Sequence, residues 1–230
     1  MRKLLALLLL LVLLVVADRS AAAYAGRTLA TELQRSGGLD ARPSVVVDGF
    51  PFLTQAMAGR YGRIEVAASG VPAGDTTVAR LEAVLTGVRV PLSQVLSGAV
   101  TQVPVDGVDA RAVLGYDALS RSSGSRRLTA EAAGDRVRVR GEVEVLGQRL
   151  AAAAVSTVAL EGDDVVVTAQ SVEVGNRVAD ALLTVALRDR LDLRLSVRDL
   201  PYGLRVDAVT VEPAGVVVRA TARDTVLTTR

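Results

Sequence analysis

Residues 137–145 read Val-Arg-Val-Arg-Gly-Glu-Val-Glu-Val, and this stretch decides the fold class. Every odd position is apolar or glycine, and every even position carries a charge. Because successive side chains of a strand point to opposite faces, the alternation predicts a strand with one buried face and one solvated face. Sheets that face water on one side are typically antiparallel.

The same period-two alternation recurs along most of the chain after Pro43. It predicts further strands at residues 63–69, 77–90, 108–114, 150–160, 165–174, 192–198, 204–212 and 216–223. Short turn sequences rich in Gly, Asp or Pro, at 134–135, 162–164 and 213–215, favour hairpin connections. Two strands change parity, at Gly87 and between Val206 and Val209, which predicts bulges and a strongly bent sheet.

Helical periodicity is limited to three segments. The first covers residues 18–36, with Ala22, Ala25, Leu29 and Leu33 on one stripe, and Gly37-Gly38 ends it. Shorter helices are predicted at 92–96 and 177–191, and residues 120–127 are predicted to form a loop. Together these patterns predict an α+β fold, mainly antiparallel β, in which residues 18–230 form a single domain.

The composition favours a sheet core and excludes most catalytic chemistry. Half of the 230 residues are hydrophobic, 39 are valine and only 3% are aromatic, so small branched side chains must fill the interior. There is no histidine and no cysteine. Ser-His-Asp and Cys-His catalysis, disulfides, and thiolate or imidazole metal ligands are therefore excluded. We expect no catalytic residue, no metal and no cofactor.

The remaining enzyme and nucleic-acid signals are weak. Asp163-Asp164 lies in a predicted hairpin turn, and Gly70–Gly74 lacks the Lys-Ser/Thr that completes a phosphate-binding loop. The 27 basic and 25 acidic residues are spread along the chain and give a net charge of +2. Without a basic stripe and interleaved aromatic residues, nucleic-acid binding is not predicted. The chain is not predicted to be an enzyme.

The N-terminus is typical of an export signal, because Arg2 and Lys3 precede the apolar run Leu4–Ala17. That run is shorter than the roughly 20 residues that span a bilayer, which favours a signal peptide over an anchor. Small residues at 15–17 and at 21–23 both offer cleavage positions, and residues 21–25 could lengthen a span. Residues 1–17 are thus a signal peptide or a membrane anchor, and the rest of the chain is predicted to lie outside the cytoplasmic membrane.

Both phenylalanines of the chain lie in one segment, Gly49-Phe50-Pro51-Phe52-Leu53. Pro51 fixes its own φ and pushes Phe50 towards extended geometry, so we expect the rings at a defined bend and not in a regular helix. The pair could gate a lipid groove or dip into a bilayer, or it could be a plug that seals one end of the sheet. The small residues 151–154 leave a similar choice between an apolar groove and a tightly packed valine core.

Four segments carry a resemblance to a known family. The stretch Gly49-Phe50-Pro51-Phe52-Leu53-Thr54-Gln55, the GYDAL segment at 115–119, the LPYGL segment at 200–204 and Gly215 before a valine strand resemble the LmeA-type phospholipid-binding proteins of actinobacteria. The similarity covers nearly all of the chain beyond the export signal. It implies a tubular lipid-binding architecture similar to bactericidal/permeability-increasing protein (BPI-like), in which a highly curved sheet is wrapped around a long helix.

The resemblance also implies a function. It indicates an exported, non-catalytic phospholipid-binding or lipid-transfer protein of the cell envelope that supports maturation of lipoglycans such as lipomannan. Its partners would be a phospholipid, with phosphatidylinositol-type lipids as one candidate, and the membrane surface. The candidate lipid-binding residues are Phe50, Pro51, Phe52, Leu53, Arg60 and Arg63, with the arginines meeting phosphate. The alternative is a structural or scaffolding envelope protein that has no lipid cavity and binds partners at its sheet edges.

Overall fold

The computed structural model describes residues 1–73, 76–97, 100–118, 129–145, 148–162, 164–174, 177–178, 193–196 and 200–228. The elements in chain order are α1 (Arg2–Ser36), β1 (Ser44–Asp48), α2 (Phe52–Ala58), β2 (Arg60–Ala73), β3 (Thr76–Arg89), α3 (Leu92–Ser97), β4 (Gln102–Leu114), β5 (Thr129–Ala133), β6 (Arg136–Val145), β7 (Gln148–Glu161), β8 (Asp164–Val174), β9 (Arg177–Val178), β10 (Leu193–Ser196), a 3-10 turn (Pro201–Gly203), β11 (Arg205–Glu212) and β12 (Gly215–Thr228).

The strands form two open sheets. The first has the order β1-β2-β3-β4-β12-β11, and the second has the order β10-β8-β7-β6-β5, with β9 paired to β8. Every pairing whose register is described is antiparallel. The predicted α+β class with mainly antiparallel strands is confirmed, and α1 is its long helix.

The chain divides into two compact units. One comprises Met1–Ser69, Glu82–Ala110 and Ala222–Arg230, and it contains the three helices and β1. The other comprises Gly70–Leu81 and Arg111–Thr221, and it contains the second sheet and β11. Among the described residues, the largest side chains with almost no exposure are Val105, Val172 and Val217. The interior is therefore built largely from the small side chains that the composition requires.

Most predicted strands are confirmed. Residues 137–145 lie in β6, and they pair with β7 over Val137–Val145 and with β5 over part of that length. The predicted irregularity near Val206 is also confirmed, because the register of β11 against β12 shifts between Val206 and Ala208. The register of β7 against β8 also shifts, between Val155 and Ser156. This second shift was not predicted from the sequence.

Some predictions fail or lie outside the described residues. The prediction of a helix at 177–191 is wrong at its start, because Arg177–Val178 pair with Glu173–Val174 as a strand. Sheet pairing overrides the helical period there. Residues 179–191, the loop at 120–127 and Asp163 are outside the described part of the chain. The elements β1, α2 and β5 were not predicted, since each has at most seven residues and repeats its pattern too few times to be recognised.

Helix α1 has two different halves. From residue 4 to residue 17 every side chain is exposed except the half-buried Val15. Beyond that point one face is buried, and its members are four residues apart: Asp18, Ala22, Gly26 and Ala30. By length and composition the helix is able to cross a membrane, which is equally true of signal sequences.

The buried face of α1 shares only Ala22 with the predicted stripe. Leu29 is exposed, and Ala25 and Leu33 are only half-buried. The reason is the close approach to β1: a Cβ on Gly26 would lie 2.6 Å from the carbonyl oxygen of Val45. Small side chains permit this approach, so the helix packs through them and leaves its larger apolar residues at the margin.

Candidate functional site

The Asp18 carboxylate is the centre of the candidate site. Its side chain is only 4% exposed, although it lies one residue beyond the apolar run. Oδ1 accepts a hydrogen bond from the Leu53 N–H at 2.9 Å, and Oδ2 accepts one from the Phe52 N–H at 3.0 Å. These N–H groups belong to the first turn of α2, where a helix has no internal acceptors for them. One helix therefore caps another across 34 residues of sequence.

Arg19 extends the contact to the preceding loop. Its Nη2 lies 2.7 Å from Asp18 Oδ2 and donates to the carbonyl oxygen of Gly49 at 2.6 Å. Its guanidinium carbon is 5.3 Å from the centroid of the Phe50 ring, a cation–π distance. We call these two residues the Asp18–Arg19 clamp, since together they hold the segment from Gly49 to Leu53.

The clamp depends on an ionised Asp18. Burial alone opposes ionisation, but the N–H groups of Leu53 and Phe52 and the Arg19 guanidinium outweigh it. The pKa of Asp18 therefore lies below its usual value. The negative charge is also favourable at the N-terminus of α2, where the helix dipole is positive.

The rest of the Gly49–Gln55 stretch is explained by local contacts. Gln55 donates from Nε2 to the Asp48 carbonyl at 3.3 Å and accepts from the Gly62 N–H at 2.9 Å, so it links the end of β1 to β2. Gly49 has φ +110, and the Gln55 amide occupies the space that its Cβ would need. Thr54 Oγ1 donates to the Pro51 carbonyl at 2.8 Å. The Phe50–Pro51 peptide bond is cis.

The two phenylalanines have different environments. Phe52 is 6% exposed, and its ring centroid lies 6.2 Å from that of Tyr61, whose pKa is raised by burial. Phe50 is 63% exposed. Burial of Phe52 is what the plug hypothesis expects, whereas Phe50 is the ring that solvent reaches. The prediction that neither ring lies in a helix is wrong for Phe52, because capping by Asp18 allows α2 to begin there.

An exposed apolar surface continues from Phe50 along α2. Leu53 and Met57 are one helical turn apart and are 43% and 81% exposed, whereas Phe52 and Ala56 on the same helix are buried. We call Phe50, Leu53 and Met57 the α2 apolar surface. The neighbouring helix α3 adds two exposed apolar side chains, Leu92 and Val95.

The two predicted phosphate-binding arginines are not equivalent. Arg60 directly follows Gly59, the left-handed residue that ends α2, and it is exposed, with no polar partner within the described part of the chain. Arg63 lies 2.8 Å from Glu65 Oε1 and 3.7 Å from Asp48 Oδ2. Two carboxylates already engage Arg63, so Arg60 is the better candidate for phosphate.

Two of the other sequence motifs, the Gly115-Tyr116 segment and Gly215, meet in the second unit. Tyr116 donates from its hydroxyl to the Glu212 carbonyl at 2.7 Å, and Arg111 lies 2.8 Å from Glu212 Oε2. Gly215 has φ +149, and a Cβ there would lie 3.1 Å from the Gly115 Cα. These contacts give the Gly115-Tyr116 segment and Gly215 a structural role, which is to join the end of β4 to the β11–β12 turn.

Three residues of the site were not predicted: Asp18, Arg19 and Met57. A signal for Asp18 exists in its spacing, because it is the first acidic residue after the apolar run and precedes Ala22, Gly26 and Ala30 at steps of four. No local pattern identifies its partners in α2, the N–H groups of Phe52 and Leu53, which are more than 30 residues away.

Comparison with known proteins identifies the family of the chain. No curated protein and no solved structure matches the chain. A family model described as LmeA-like phospholipid-binding matches residues 16–221, and this range includes the clamp, the α2 apolar surface and the Tyr116–Glu212 contact. The chain belongs to the LmeA-like phospholipid-binding family.

Proposed function

We propose that the chain is an exported, non-catalytic phospholipid-binding or lipid-transfer protein that works at the outer face of the cytoplasmic membrane. The observation that carries the proposal, beside family membership, is the division of the aromatic pair. Phe52 is part of the core, whereas the Asp18–Arg19 clamp holds Phe50 exposed next to Leu53. If the aromatic pair only sealed one end of the sheet, both rings would be buried, and an exposed Phe50 would serve no purpose.

The α2 apolar surface and Arg60 suit the two parts of a phospholipid. Phe50, Leu53 and Met57 would cover acyl chain, which gains about 0.8 kcal/mol for each CH₂ withdrawn from water. Arg60, exposed at the end of α2, would meet the phosphate through its planar fork of donors. Arg19 is engaged by Asp18, Gly49 and Phe50, so its role is to position the ring.

The sheet residues support an apolar groove for the acyl chains. Every residue from Leu81 to Gly87 in β3 is half-buried, so this stretch retains accessible surface on both of its faces. A fully packed valine core would bury one of them. The half-buried Leu81, Val84 and Leu85 are side chains that acyl chains would contact.

The N-terminal segment supports the export part of the proposal. Arg2 and Lys3 precede an apolar helix whose side chains make almost no contact with the rest of the protein. Such a segment fits a signal peptide or an anchor. Because the chain belongs to the LmeA-like family, the proposal extends to three further points. These are localisation in the cell envelope, a phosphatidylinositol-type ligand and support of lipomannan maturation.

The experiment compares phospholipid co-purified with variants of the full chain. Phe50→Ser with Leu53→Ser removes the exposed apolar surface, and Tyr24→Ser is the matched control, because Tyr24 is an exposed aromatic residue elsewhere. We expect at least a five-fold loss of lipid phosphate per chain for the double variant and no loss for the control. All variants share the N-terminal segment, so any lipid that this segment binds is the same in each sample and does not affect the comparison. Phe52 is left intact, because its burial makes it a stability residue.

The headgroup and the absence of catalysis are tested in the same samples. Arg60→Gln should lower recovery of anionic phospholipids, whereas Arg63→Gln should not, since Arg63 is held by Asp48 and Glu65. Mass spectrometry of the bound lipid should show unaltered phospholipid. Bare protein in native mass spectra after incubation with phosphatidylinositol vesicles would contradict lipid binding, and hydrolysed lipid would contradict a non-catalytic role.

The scaffolding alternative is favoured by one observation, the open edges of both sheets. A scaffold would bind protein partners along these edges and would have no need of the α2 apolar surface. Under that hypothesis the Phe50→Ser, Leu53→Ser variant keeps its partners in a cross-linking experiment, and the wild type carries no lipid. The two measurements separate the hypotheses.

A further inference from the structure

Asp18 marks a boundary within α1. On its N-terminal side, residues 4–17 are exposed apart from the half-buried Val15. From Asp18 onward, every fourth residue up to Ala30 is buried. The helix is continuous across this point, so the boundary is one of packing and not of secondary structure.

The sequence offers two places where a signal peptide could be removed, and the structure distinguishes them. A cut within 21–23 would remove both residues of the clamp. The N–H groups of Phe52 and Leu53 would lose their acceptor, and the Gly49 carbonyl and the Phe50 ring would lose Arg19. Buried N–H groups without an acceptor are costly, so this cut would destabilise the start of α2.

A cut between Ala17 and Asp18 would leave these contacts intact. It removes only residues whose side chains are exposed or, for Val15, half-buried. Val15 and Ala17 supply the small side chains that a signal cleavage site needs on its N-terminal side. The family match begins at residue 16, so the sequence shared with the family starts two residues before the packed part of the helix.

We propose that the Ala17–Asp18 bond is the processing site and that Asp18 is the first residue of the mature protein. Hydrolysis of this bond consumes one water, leaves a carboxylate on Ala17 and frees the amino group of Asp18. The cut takes place during export, before the chain folds, so the later burial of the Asp18 side chain does not prevent it. The proposal rests on the export part of the proposed function and requires nothing of lipid binding.

The test determines the N-terminus of the protein recovered from the envelope of a bacterial host that expresses the full chain. N-terminal sequencing and intact mass should both give Asp18 as the first residue. A first residue between 22 and 24 would overturn the proposal, because the clamp would be missing from the mature protein. A chain that retains residues 1–17 would also overturn it.

Matched variants make the result specific to this bond. Ala17→Leu places a large side chain at the proposed site and should leave the chain unprocessed, with at least a ten-fold fall in the Asp18-terminated form. Ala23→Leu alters the other cluster, at an exposed position, and should leave processing unchanged. The reverse pattern would overturn the proposal. Because these readouts are masses, failure of lipid binding would leave them unaffected, and the two proposals fail separately.

Discussion

The two halves of α1 are both helical, but they differ in the size and the burial of their apolar side chains. The first half is rich in leucine, and its side chains are exposed. The second half has charged residues and alanines, yet it is the half that packs, through Ala22, Gly26 and Ala30. In α1, hydrophobicity therefore does not indicate which half packs, whereas small side chains indicate where the backbone of another element can approach.

Helix α2 shows a similar division across its two faces. Phe52 and Ala56 are buried, and Leu53 and Met57 are exposed. Asp18 connects the two helices, since it lies at the change in α1 and binds the start of α2. The comparison between the packed and the exposed parts of these helices leads to four predictions.

The largest effect is expected at Phe52. Phe52→Ala removes a buried ring and should lower the free energy of unfolding by about 3–5 kcal/mol. Phe50→Ala removes an exposed ring and should change it by about 0.5 kcal/mol or less. Urea unfolding of the full chain in mild detergent measures both. If the two variants lost equal free energy of unfolding, Phe52 would not be the more deeply packed of the two rings.

The next effect is expected at Gly26. In an open helix, Gly→Ala stabilises by about 1 kcal/mol. Here the new Cβ would lie 2.6 Å from the Val45 carbonyl oxygen, so we expect Gly26→Ala to destabilise by about 1–3 kcal/mol. Ala23→Leu, on the exposed side of the same helix, is the control and should change stability by about 0.5 kcal/mol or less. A stabilised Gly26→Ala variant would contradict the close approach of α1 to β1.

A pH-dependent effect is expected at Asp18. Its pKa is lower in the folded protein than the ordinary value of 3.8, so its carboxylate contributes stability above that value. The contribution is lost as the pH falls through the lower, folded pKa. Thermal unfolding between pH 7 and pH 2 should show the wild type well above Asp18→Asn at neutral pH, with the difference shrinking below pH 4. A difference that is constant with pH would show that ionisation of Asp18 contributes nothing.

The smallest effect is expected in the first half of α1. Leu10 is 54% exposed, so Leu10→Ala in the unprocessed chain should change the unfolding free energy by about 0.5 kcal/mol or less. A buried leucine would cost about 2–5 kcal/mol. Thermal unfolding in detergent measures the difference. A loss in the range of a buried leucine would show that this segment packs against the protein.

Much of the sheet could be predicted because its signal is local. The alternation at 137–145 predicted a half-buried antiparallel strand, and β6 pairs over that whole stretch with β7. The end of α1 at Gly37 followed from glycine in the same way. Short elements such as α2 could not be predicted, because seven residues hold less than two full turns of helix.

The candidate site was predicted only in part. The aromatic stretch was identified, but which ring is exposed depends on Asp18, which is 34 residues away from Phe52. Arg60 and Arg63 have equal standing in the sequence. They are separated by the contacts of Arg63, which meets Glu65 on its own strand and Asp48 opposite it on β1.

Period, composition and the N-terminal apolar run were enough to establish an antiparallel sheet built on valine, the lack of histidine and cysteine chemistry, and an N-terminal apolar helix that fits a signal peptide or an anchor. Each of these follows from neighbouring residues or from simple counts. The packed face of α1, the capping of α2 and the exposure of Phe50 were decided by the tertiary structure. They depend on backbone groups that meet across long separations in sequence, and whether a helix can approach a strand is set by side-chain volume at the point of contact.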